Sequence, residues 1–354
     1  MYNITHIHIQ TSAVNTLSAQ RAAELFDPGQ IHRFETEPSI PEGSDPKKHL
    51  IISTHRSGLL KPCPCTSYYT GCGYTVFNCI HNCPLTCTYC ILQAYLNEPG
   101  ILVYGDLEHL EDEIRSKVLK PGLNLRIGTG QLGDSLALER ISGISGRLIK
   151  VMASSGCSIL ELKTKTAAIE PILSIDPKGR TVVGWSVNAS CIIQHEETHT
   201  ASLEQRLKAA CKVREAGYMI SFHLDPVICF SGWEAEYGAM FDMIGDYMCS
   251  DTDVAWFSIG GMRFMPELKR IIDRRFPDSI AAAGEFIDGA DGKKRYYKKT
   301  RARMFKTLYR RARKIFPNTP VYFCMESEQI WREAAGRYPG PEGLKDMLDR
   351  SVLR

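Results

Sequence analysis

Six strand-like segments alternate with helix-like segments between residues 74 and 261, and this alternation strongly constrains the fold. The strand-like segments are YTVFNCI (74–80), LNLRIGT (123–129), SILELKTK (158–165), TVVGWSVN (181–188), MISFHLDPV (219–227) and VAWFSIGG (254–261). Helical patterns cover 106–118, 134–154, 202–216 and 234–248. Strands joined through helices form parallel sheets with right-handed crossovers. The pattern predicts an α/β fold, a partial TIM-type barrel of six βα units. An open doubly wound sheet is the alternative.

Polar and apolar residues alternate along three of these strands. In ISFHLD (220–225), Ser221, His223 and Asp225 follow apolar neighbours, and 160–165 and 182–188 show the same alternation. Strands of parallel sheets are normally buried on both faces and apolar throughout, and an eight-stranded barrel fills its interior with branched apolar side chains. The polar set therefore indicates an interior that binds a ligand. The alternative is a sheet with one solvated face.

Two shorter regions flank the predicted barrel, which we assign to residues 61–285. Residues 1–60 contain an alternating strand and a short helix, and are expected to form a small N-terminal α/β segment. Residues 286–354 are expected to form a basic C-terminal extension.

Composition predicts a cytoplasmic protein without a membrane span. The 354 residues contain no apolar run near eighteen residues, and the N-terminus lacks the pattern of a signal peptide. The cysteine count is 13, an odd number, and the cytosol keeps thiols reduced, so a disulfide framework is not expected.

Three cysteines, Cys83, Cys87 and Cys90, are spaced C-x3-C-x2-C. A structural zinc site needs four ligands, usually as two C-x2-C pairs. Buried cysteines that pack as small hydrophobes are a second interpretation. A [4Fe–4S] cluster held by three thiolates is the third, and it leaves one iron open, as in catalytic metal centres.

The motif directly after the first predicted barrel strand resembles the radical S-adenosylmethionine superfamily, in which an aromatic residue, here Tyr89, typically lies between the last two cysteines. The resemblance implies that the open iron binds S-adenosylmethionine. Reduction then cleaves that cofactor to a 5′-deoxyadenosyl radical, which abstracts hydrogen from substrate. It also implies an electron donor such as flavodoxin or ferredoxin, and we expect a monomer.

Within this superfamily the chain resembles the spore photoproduct lyase family from about residue 61 to 330. The resemblance rests on NCPLTCTYCILQAYLN (82–97), LELKTKT (160–166), VVGWSVN (182–188), ASLEQRLKAACKVREAGY (201–218) and FHLDPVICFSGWEAEY (222–237). It implies a DNA repair lyase that acts on thymine-dimer-type lesions. The alternatives are a radical enzyme acting on modified RNA, a peptide or a metabolite, and a non-catalytic iron–sulfur protein that binds DNA or senses redox state.

The resemblance also implies roles for single residues. Cys83, Cys87 and Cys90 would bind the cluster, and Tyr89 would lie beside it as a catalytic or cofactor-contacting residue. The other implied cofactor contacts are Asp134, Lys165, Ser186 and Asn188. The alternation places Lys165 and Ser186 in the cavity independently. His223 lies on the same wall, as a substrate contact or as a buried neutral histidine.

Three positions depart from the family pattern. Alignment on Asp134 places Gln131 where the family has its hydrogen-donor cysteine, and Gly133 where it has serine. Ile91 replaces the aromatic residue after the third cluster cysteine. Because glutamine has no weak X–H bond to give, we expect another thiol to donate hydrogen, or a different reaction. Cys191 and Cys229, which follow the fourth and fifth strands, are the candidates; buried packing is their alternative role.

Four further cysteines precede the motif, namely Cys63, Cys65, Cys72 and Cys79. Their spacing matches neither common zinc sites nor ferredoxins. A second metal site and simple packing are the two interpretations.

Residues 292–316 contain 12 Lys or Arg and no Asp or Glu, whereas the rest of the chain has 31 basic and 40 acidic residues. Basic residues neutralise phosphates, and interleaved aromatic residues stack on bases. The segment predicts a nucleic-acid partner, DNA in particular, with Arg295, Tyr296, Tyr297 and Lys298 as substrate contacts. A solvated helix whose aromatic residues face the core is the alternative.

Overall fold

The computed structural model describes residues 2–55, 58–66, 68–248, 250 and 252–352. The chain divides into two compact units. The first unit comprises Met1–Pro62, Thr75–Leu85 and Leu96–Thr181, and the second comprises Cys63–Tyr74, Thr86–Tyr95 and Val182–Arg354. No helix in the described part of the chain is both long and apolar enough to cross a membrane.

The strands are, in chain order, β1 (His6–Gln10), β2 (Ile31–Phe34), β3 (His49–Ser53), β4 (Leu60–Pro62), β5 (Tyr74–Phe77), β6 (Ile80–His81), β7 (Thr86–Cys87), β8 (Ile101–Tyr104), β9 (Arg126–Gly128), β10 (Ile159–Thr164), β11 (Thr181–Ser186), β12 (Glu197–Thr198), β13 (Met219–Val227), β14 (Val254–Gly261), β15 (Arg263–Phe264), β16 (Phe286–Asp288), β17 (Lys294–Tyr296) and β18 (Val321–Phe323).

The helices are α1 (Leu17–Leu25), α2 (Leu92–Tyr95), α3 (Leu107–Lys117), α4 (Glu139–Ser142), α5 (Ile144–Met152), α6 (Glu170–Leu173), α7 (Ser190–Glu196), α8 (Leu203–Glu215), α9 (Trp233–Tyr247), α10 (Pro266–Arg275), α11 (Lys298–Ile315), α12 (Glu328–Ala335) and α13 (Gly340–Arg350). All six predicted barrel strands are present, as β5, β9, β10, β11, β13 and β14.

The first unit contains a five-stranded sheet with the order β2-β1-β3-β8-β6. Its strands are parallel except β6, which runs antiparallel to β8. Ile7, Leu50 and Ile101 are fully buried in it. Because β6 and β8 come from residues 80–81 and 101–104, the sheet is not assembled from the first 60 residues alone.

Each unit also contains a second set of paired strands. In the first unit β10 pairs with β9 in parallel, and β4 pairs antiparallel with β5. In the second unit β11, β13, β14 and β18 pair in that order, all in parallel. A small antiparallel sheet with the order β15-β17-β16 follows in the second unit.

Neither side-chain set of the alternating strands is exposed: the apolar set is buried, and the polar set is buried or half-buried. On β13, Phe222 and Leu224 are fully buried, and so are the polar Ser221 and, at 5% exposure, His223. Glu161 on β10 is also buried. The polar set therefore does not form a solvated sheet face, as one of the two interpretations required.

The helix predicted at 134–154 is divided in two. Residues 134–138 form a turn in which the Asp134 carboxylate accepts hydrogen bonds from the backbone N–H groups of Leu136 and Ala137. Gly143 then ends α4 with a left-handed φ of 64°, which glycine adopts without steric cost. By contrast, α8 starts as predicted, since Ser202 and Gln205 form a capping box.

Four histidines lie on one face of the first unit's five-stranded sheet. His6 and His8 alternate on β1, His32 is in register with His8, and His49 is in register with His6. The His8 and His49 rings approach to 3.1 Å between ring nitrogens, and both residues are 3% exposed. Burial and the neighbouring imidazoles lower the pKa of His8 to about 4, and burial chiefly lowers that of His49.

We therefore predict that acid destabilises the protein through His8. A histidine whose pKa is lower in the folded state than in the unfolded chain binds fewer protons when folded. The free energy of unfolding then falls as the pH drops from about 6.5 towards 4, by at most about 1.4 kcal/mol per pH unit for one group. Urea unfolding at several pH values should show a shallower fall for His8→Leu than for the wild type. An equal fall in both would contradict this assignment, and His109→Gln on α3 is the control.

Candidate cluster loop and active site

Cys83 lies in the first unit, two residues after β6. Asn82 before it has a left-handed φ of 70°, and its side-chain oxygen accepts a hydrogen bond from the Cys83 N–H at 2.8 Å. Lys47 donates hydrogen bonds to the carbonyl oxygens of Cys83 and Leu85 at 2.6 and 2.5 Å. The entry of the cysteine motif is thus fixed by a lysine that the sequence pattern did not single out.

Asp134 is buried in the first unit and holds the turn after β9. Besides the two turn N–H groups, its carboxylate accepts hydrogen bonds from the Lys165 N–H at 2.8 Å and the Thr164 hydroxyl at 2.9 Å. Burial raises the pKa of Asp134, and these hydrogen bonds oppose the rise. The carboxylate therefore joins the ends of β9 and β10, and its predicted cofactor contact stays a prediction.

Two glycines near Asp134 in the loop after β9, Gly130 and Gly133, lie very close to other parts of the first unit. A Cβ atom on Gly133 would lie 2.9 Å from the Asn82 carbonyl oxygen, and one on Gly130 would lie 2.6 Å from Cβ of Lys163. Gln131, between the two glycines, is exposed. Lys165, the predicted cofactor contact, is half-buried.

Cys87 and Cys90 belong to the second unit. Cys87 lies on β7, where it is in register with Glu197 of β12, and it is 8% exposed. The Cys90 N–H donates a hydrogen bond to the Cys87 carbonyl at 3.2 Å, which closes the loop between them. Gln93 donates a hydrogen bond to the Thr88 carbonyl at 2.9 Å.

Tyr89 is buried, and its hydroxyl donates a short hydrogen bond to Glu197. Burial and the Glu197 charge raise the pKa of Tyr89 well above its usual value. Glu197 forms a fully buried ion pair with Arg206 at 2.6 Å, and Arg206 also donates to the carbonyl of Ser186 at 2.7 Å. Ser186 itself is half-buried at the end of β11.

The other predicted contacts in the second unit are engaged by protein atoms. The Asn188 amide donates to the Pro226 carbonyl at 3.0 Å and accepts from the Tyr237 hydroxyl at 2.5 Å. His223 is buried, with a ring nitrogen 3.3 Å from the Ser221 hydroxyl. The contacts of Asn188 with cofactor and of His223 with substrate stay predictions.

Cys191 and Cys229, the candidate hydrogen donors, are half-buried free thiols of the second unit. Burial raises the pKa of both thiols, and nearby carboxylates add to the rise, Glu236 for Cys191 and Glu234 for Cys229. Both groups are therefore S–H at neutral pH. The Cys229 N–H donates a hydrogen bond to the Tyr296 hydroxyl at 3.0 Å, which brings two predicted site residues together.

The four cysteines that precede the motif belong to different units. Cys79 is fully buried in the first unit, where burial raises its pKa to about 12. Cys63, Cys65 and Cys72 belong to the second unit; burial and the two neighbouring thiols raise the pKa of Cys65 to about 11. Among the residues that the structure describes, no three His, Cys, Asp or Glu side chains are arranged to hold a metal ion.

The donor set of the motif nevertheless suits an iron–sulfur cluster. Cys83, Cys87 and Cys90 form no disulfide, two of them are buried, and they lie on a loop held by backbone and side-chain hydrogen bonds. Thiolates from three cysteines are the ligand type that such clusters require.

Two predicted substrate contacts are buried in the second unit. Arg295 is 1% exposed, forms an ion pair with Asp291 at 2.8 Å and stacks over the Tyr69 ring at 3.8 Å. Tyr296 is also 1% exposed. A guanidinium held in this way is not presented to a phosphate, so the placement argues against direct DNA contact by Arg295. Tyr297, at 45% exposure, and the half-buried Lys298 remain accessible.

Helix α11 carries most of the basic segment and is amphipathic. Its apolar face, including Met304, Phe305 and Leu308, is buried, and Arg301 is buried beside Glu326 at 3.5 Å. The exposed basic side chains are those of Lys299, Arg303, Lys306, Arg310 and Lys314. Their spacing of three or four residues places them along one side of the helix.

Comparisons with known proteins agree with this geometry. Residues 71–324 match the family model described as "Spore photoproduct lyase", so the chain belongs to the spore photoproduct lyase family. The spore photoproduct lyase of Bacillus subtilis (strain 168) is 26% identical over 64% of this chain and 65% of its own length. That of Geobacillus sp. (strain Y412MC61) is 28% identical over 63% and 64%. The chain thus matches less than two thirds of the length of these curated relatives.

Solved structures confirm the predicted fold class. A spore photoproduct lyase variant with the dinucleoside spore photoproduct has a TM-score of 0.80 at 22% identity, over 91% of this chain and 99% of that one. A second variant, with bound AdoMet and the same dinucleoside, has a TM-score of 0.80 at 23% identity and the same coverage.

Sequence reasoning missed the residues that hold the cysteine loop, namely Lys47, Glu196, Glu197 and Arg206. Arg206 lies within the helix that carries part of the family resemblance, but nothing local shows what it binds. The signal available in the sequence was a pair of adjacent acidic residues, Glu196 and Glu197, at the end of a helix.

We predict that Gly133→Ser destabilises the protein by about 1–3 kcal/mol, because the new Cβ would lie 2.9 Å from a backbone carbonyl that cannot rotate away. Urea unfolding measures the change. Gly156→Ser is the matched control, since no atom lies within 4 Å of its Cβ position. Equal stability of the two variants would show that the loop after β9 accommodates the side chain freely.

Proposed function

We propose that the protein is a radical S-adenosylmethionine enzyme of the lyase type that acts on damaged DNA. The observation that carries the proposal is the C-x3-C-x2-C motif, whose cysteines form no disulfide, in a chain that belongs to the spore photoproduct lyase family. Cys83, Cys87 and Cys90 would hold a [4Fe–4S] cluster. With S-adenosylmethionine bound, the cluster supplies the radical chemistry that removes a hydrogen atom from the substrate.

The remaining roles follow from the contacts described above. Lys165 and Ser186, both half-buried at strand ends, are the proposed cofactor contacts. Tyr89 keeps its proton and donates it in a hydrogen bond to Glu197, so we assign it to holding the loop. Cys191 and Cys229 keep their protons at neutral pH, and a neutral S–H group is the form that can give a hydrogen atom.

The exposed basic side of α11 supports a nucleic-acid substrate. From Lys299 to Lys314 the helix rises about 22 Å, which corresponds to about six nucleotides of one DNA strand. This length exceeds a dinucleotide lesion. The structurally similar variants were solved with a dinucleoside photoproduct, and we propose that this chain binds the lesion within a longer strand. A small reducing protein of the flavodoxin or ferredoxin type would supply the electron.

A related lesion is the second candidate substrate. Gln131 is exposed where the family has its hydrogen-donor cysteine, and Ile91 replaces an aromatic residue. Repair of the spore photoproduct itself would then be weak, or would depend on a thiol elsewhere.

The decisive assay incubates the reduced, cluster-loaded enzyme with S-adenosylmethionine and the dinucleotide spore photoproduct. We expect release of 5′-deoxyadenosine, abolished in Cys83→Ala, Cys87→Ala and Cys90→Ala, with slow or absent formation of thymine. If the three variants still release 5′-deoxyadenosine, the proposed function is wrong. Multiple-turnover repair that is unaffected by Cys191→Ala and Cys229→Ala would show that neither thiol is the donor.

DNA binding should weaken steeply with salt because phosphate contacts release counterions. Replacing Lys299, Lys306, Arg310 and Lys314 by Gln should flatten the slope of log K against log salt by roughly one unit per lost phosphate contact. Replacing Lys208, Lys269, Arg270 and Arg332 by Gln removes the same charge from other exposed sites and is the control. Equal slopes for the two variants would place the DNA contacts elsewhere.

A further inference from the structure

Two consecutive glutamates hold the two residues between Cys87 and Cys90. Glu196 ends α7 and Glu197 begins β12, which pairs antiparallel with β7. Because Glu197 is in register with Cys87, the cysteine loop starts from a fixed backbone position in the second unit.

Glu196 fixes Thr88. Its carbonyl accepts the Thr88 N–H at 2.8 Å, and its carboxylate accepts the Thr88 hydroxyl in a short hydrogen bond. The same carboxylate accepts hydrogen bonds from the Ser279 hydroxyl at 2.7 Å and the Ile280 N–H at 2.8 Å. Thr88 is therefore tied at both its backbone and its side chain.

Glu197 fixes Tyr89. One of its oxygens accepts the tyrosine hydroxyl and the other accepts Arg206 at 2.6 Å. The Arg206 guanidinium also donates hydrogen bonds to the carbonyls of Ala201 and Ser186, at 2.9 and 2.7 Å, and to the Thr200 hydroxyl. The chain of contacts therefore runs from the cysteine loop to the end of β11.

We propose that Glu197 and Arg206 are positioning residues that set the direction of Tyr89 and, through it, the placement of the Cys87 and Cys90 thiols. The proposal rests on the proposed function, since it takes these thiols as cluster ligands. An apolar replacement of a buried ion pair often stabilises a protein as well as the pair does. The polar arrangement is therefore kept for orientation: a phenol that donates to a fixed carboxylate has one geometry, whereas a packed ring has several.

The first test needs no cluster. Hydrogen exchange of the metal-free, full-length protein, followed by mass spectrometry, reports the peptide 86–93. We expect Tyr89→Phe and Glu197→Gln each to speed its exchange by on the order of tenfold, because a hydrogen bond to a charged group is lost or weakened. The double variant should exchange no faster than the faster single variant, because both substitutions act on the same hydrogen bond between Tyr89 and Glu197.

Tyr247→Phe is the matched control, since it removes a tyrosine–glutamate hydrogen bond at the surface, to Glu204 at 3.4 Å. Tyr89→Phe leaves the Glu197–Arg206 ion pair intact. If Glu197→Gln fails to fold, the exchange rate of Tyr89→Phe alone tests the positioning role. Unchanged exchange in Tyr89→Phe, or an equal change in Tyr247→Phe, would overturn the proposal.

The second test links the network to the metal. After anaerobic reconstitution, Tyr89→Phe and Glu197→Gln should lose iron to a chelator on the order of tenfold faster than the wild type. The EPR change on adding S-adenosylmethionine should alter in these variants and not in Tyr247→Phe. Iron retention equal to wild type would overturn the positioning role. A wild type that takes up no iron would sink the proposed function and leave the exchange result standing.

Discussion

The buried ion pair between Glu197 and Arg206 is the interaction on which the cysteine loop depends. Removing two charges from water costs several kcal/mol for each ion, and the attraction between them offsets this only when the remaining donors and acceptors are satisfied. Here Arg206 reaches Glu197, two backbone carbonyls and a threonine hydroxyl, and the second Glu197 oxygen accepts Tyr89. Loss of either charge would leave the other buried and unpaired, which typically costs about 3–5 kcal/mol. The pair therefore fixes the loop only as a complete network.

Two carboxylates among the predicted site strands are engaged in hydrogen bonds and ion pairs with other protein groups. Asp134 accepts four hydrogen bonds from protein groups, and Asp225 forms a bidentate pair with Arg263 at 2.8 and 3.0 Å. The candidate thiols have raised pKa values and stay protonated. Acid–base catalysis needs groups with a pKa near the working pH and free to exchange protons. Cys191 and Cys229 therefore do not suit acid–base catalysis at neutral pH, and their neutral S–H groups are the form that can give a hydrogen atom.

The sequence identified local features well and long-range contacts poorly. The six strands were found within a few residues of their observed ends, because alternation and turn residues act locally. The predicted helix over 134–154 was wrong at its start and middle, since Asp134 and Gly143 impose a turn and a left-handed residue. Glu197 was missed because Tyr89 is 108 residues away in the chain. The burial of Arg295 was not foreseen, because a count of charges says nothing of burial.

The departures from the family pattern around Gln131 are physically connected. The loop after β9 passes so close to the motif entry that only glycine fits at position 133 without displacing the Asn82 carbonyl. A serine there would push on Asn82, the residue whose side-chain oxygen accepts a hydrogen bond from the Cys83 N–H. Gly130 is constrained in the same way by Lys163. Gly130 and Gly133 are both held against the protein, and Gln131 lies between them in the chain with an exposed side chain. The two expected departures from the family pattern, at Gln131 and Gly133, therefore lie in one closely packed loop. A cysteine at position 131 would take the exposed place of Gln131, so we keep the half-buried thiols Cys191 and Cys229 as the proposed hydrogen donors.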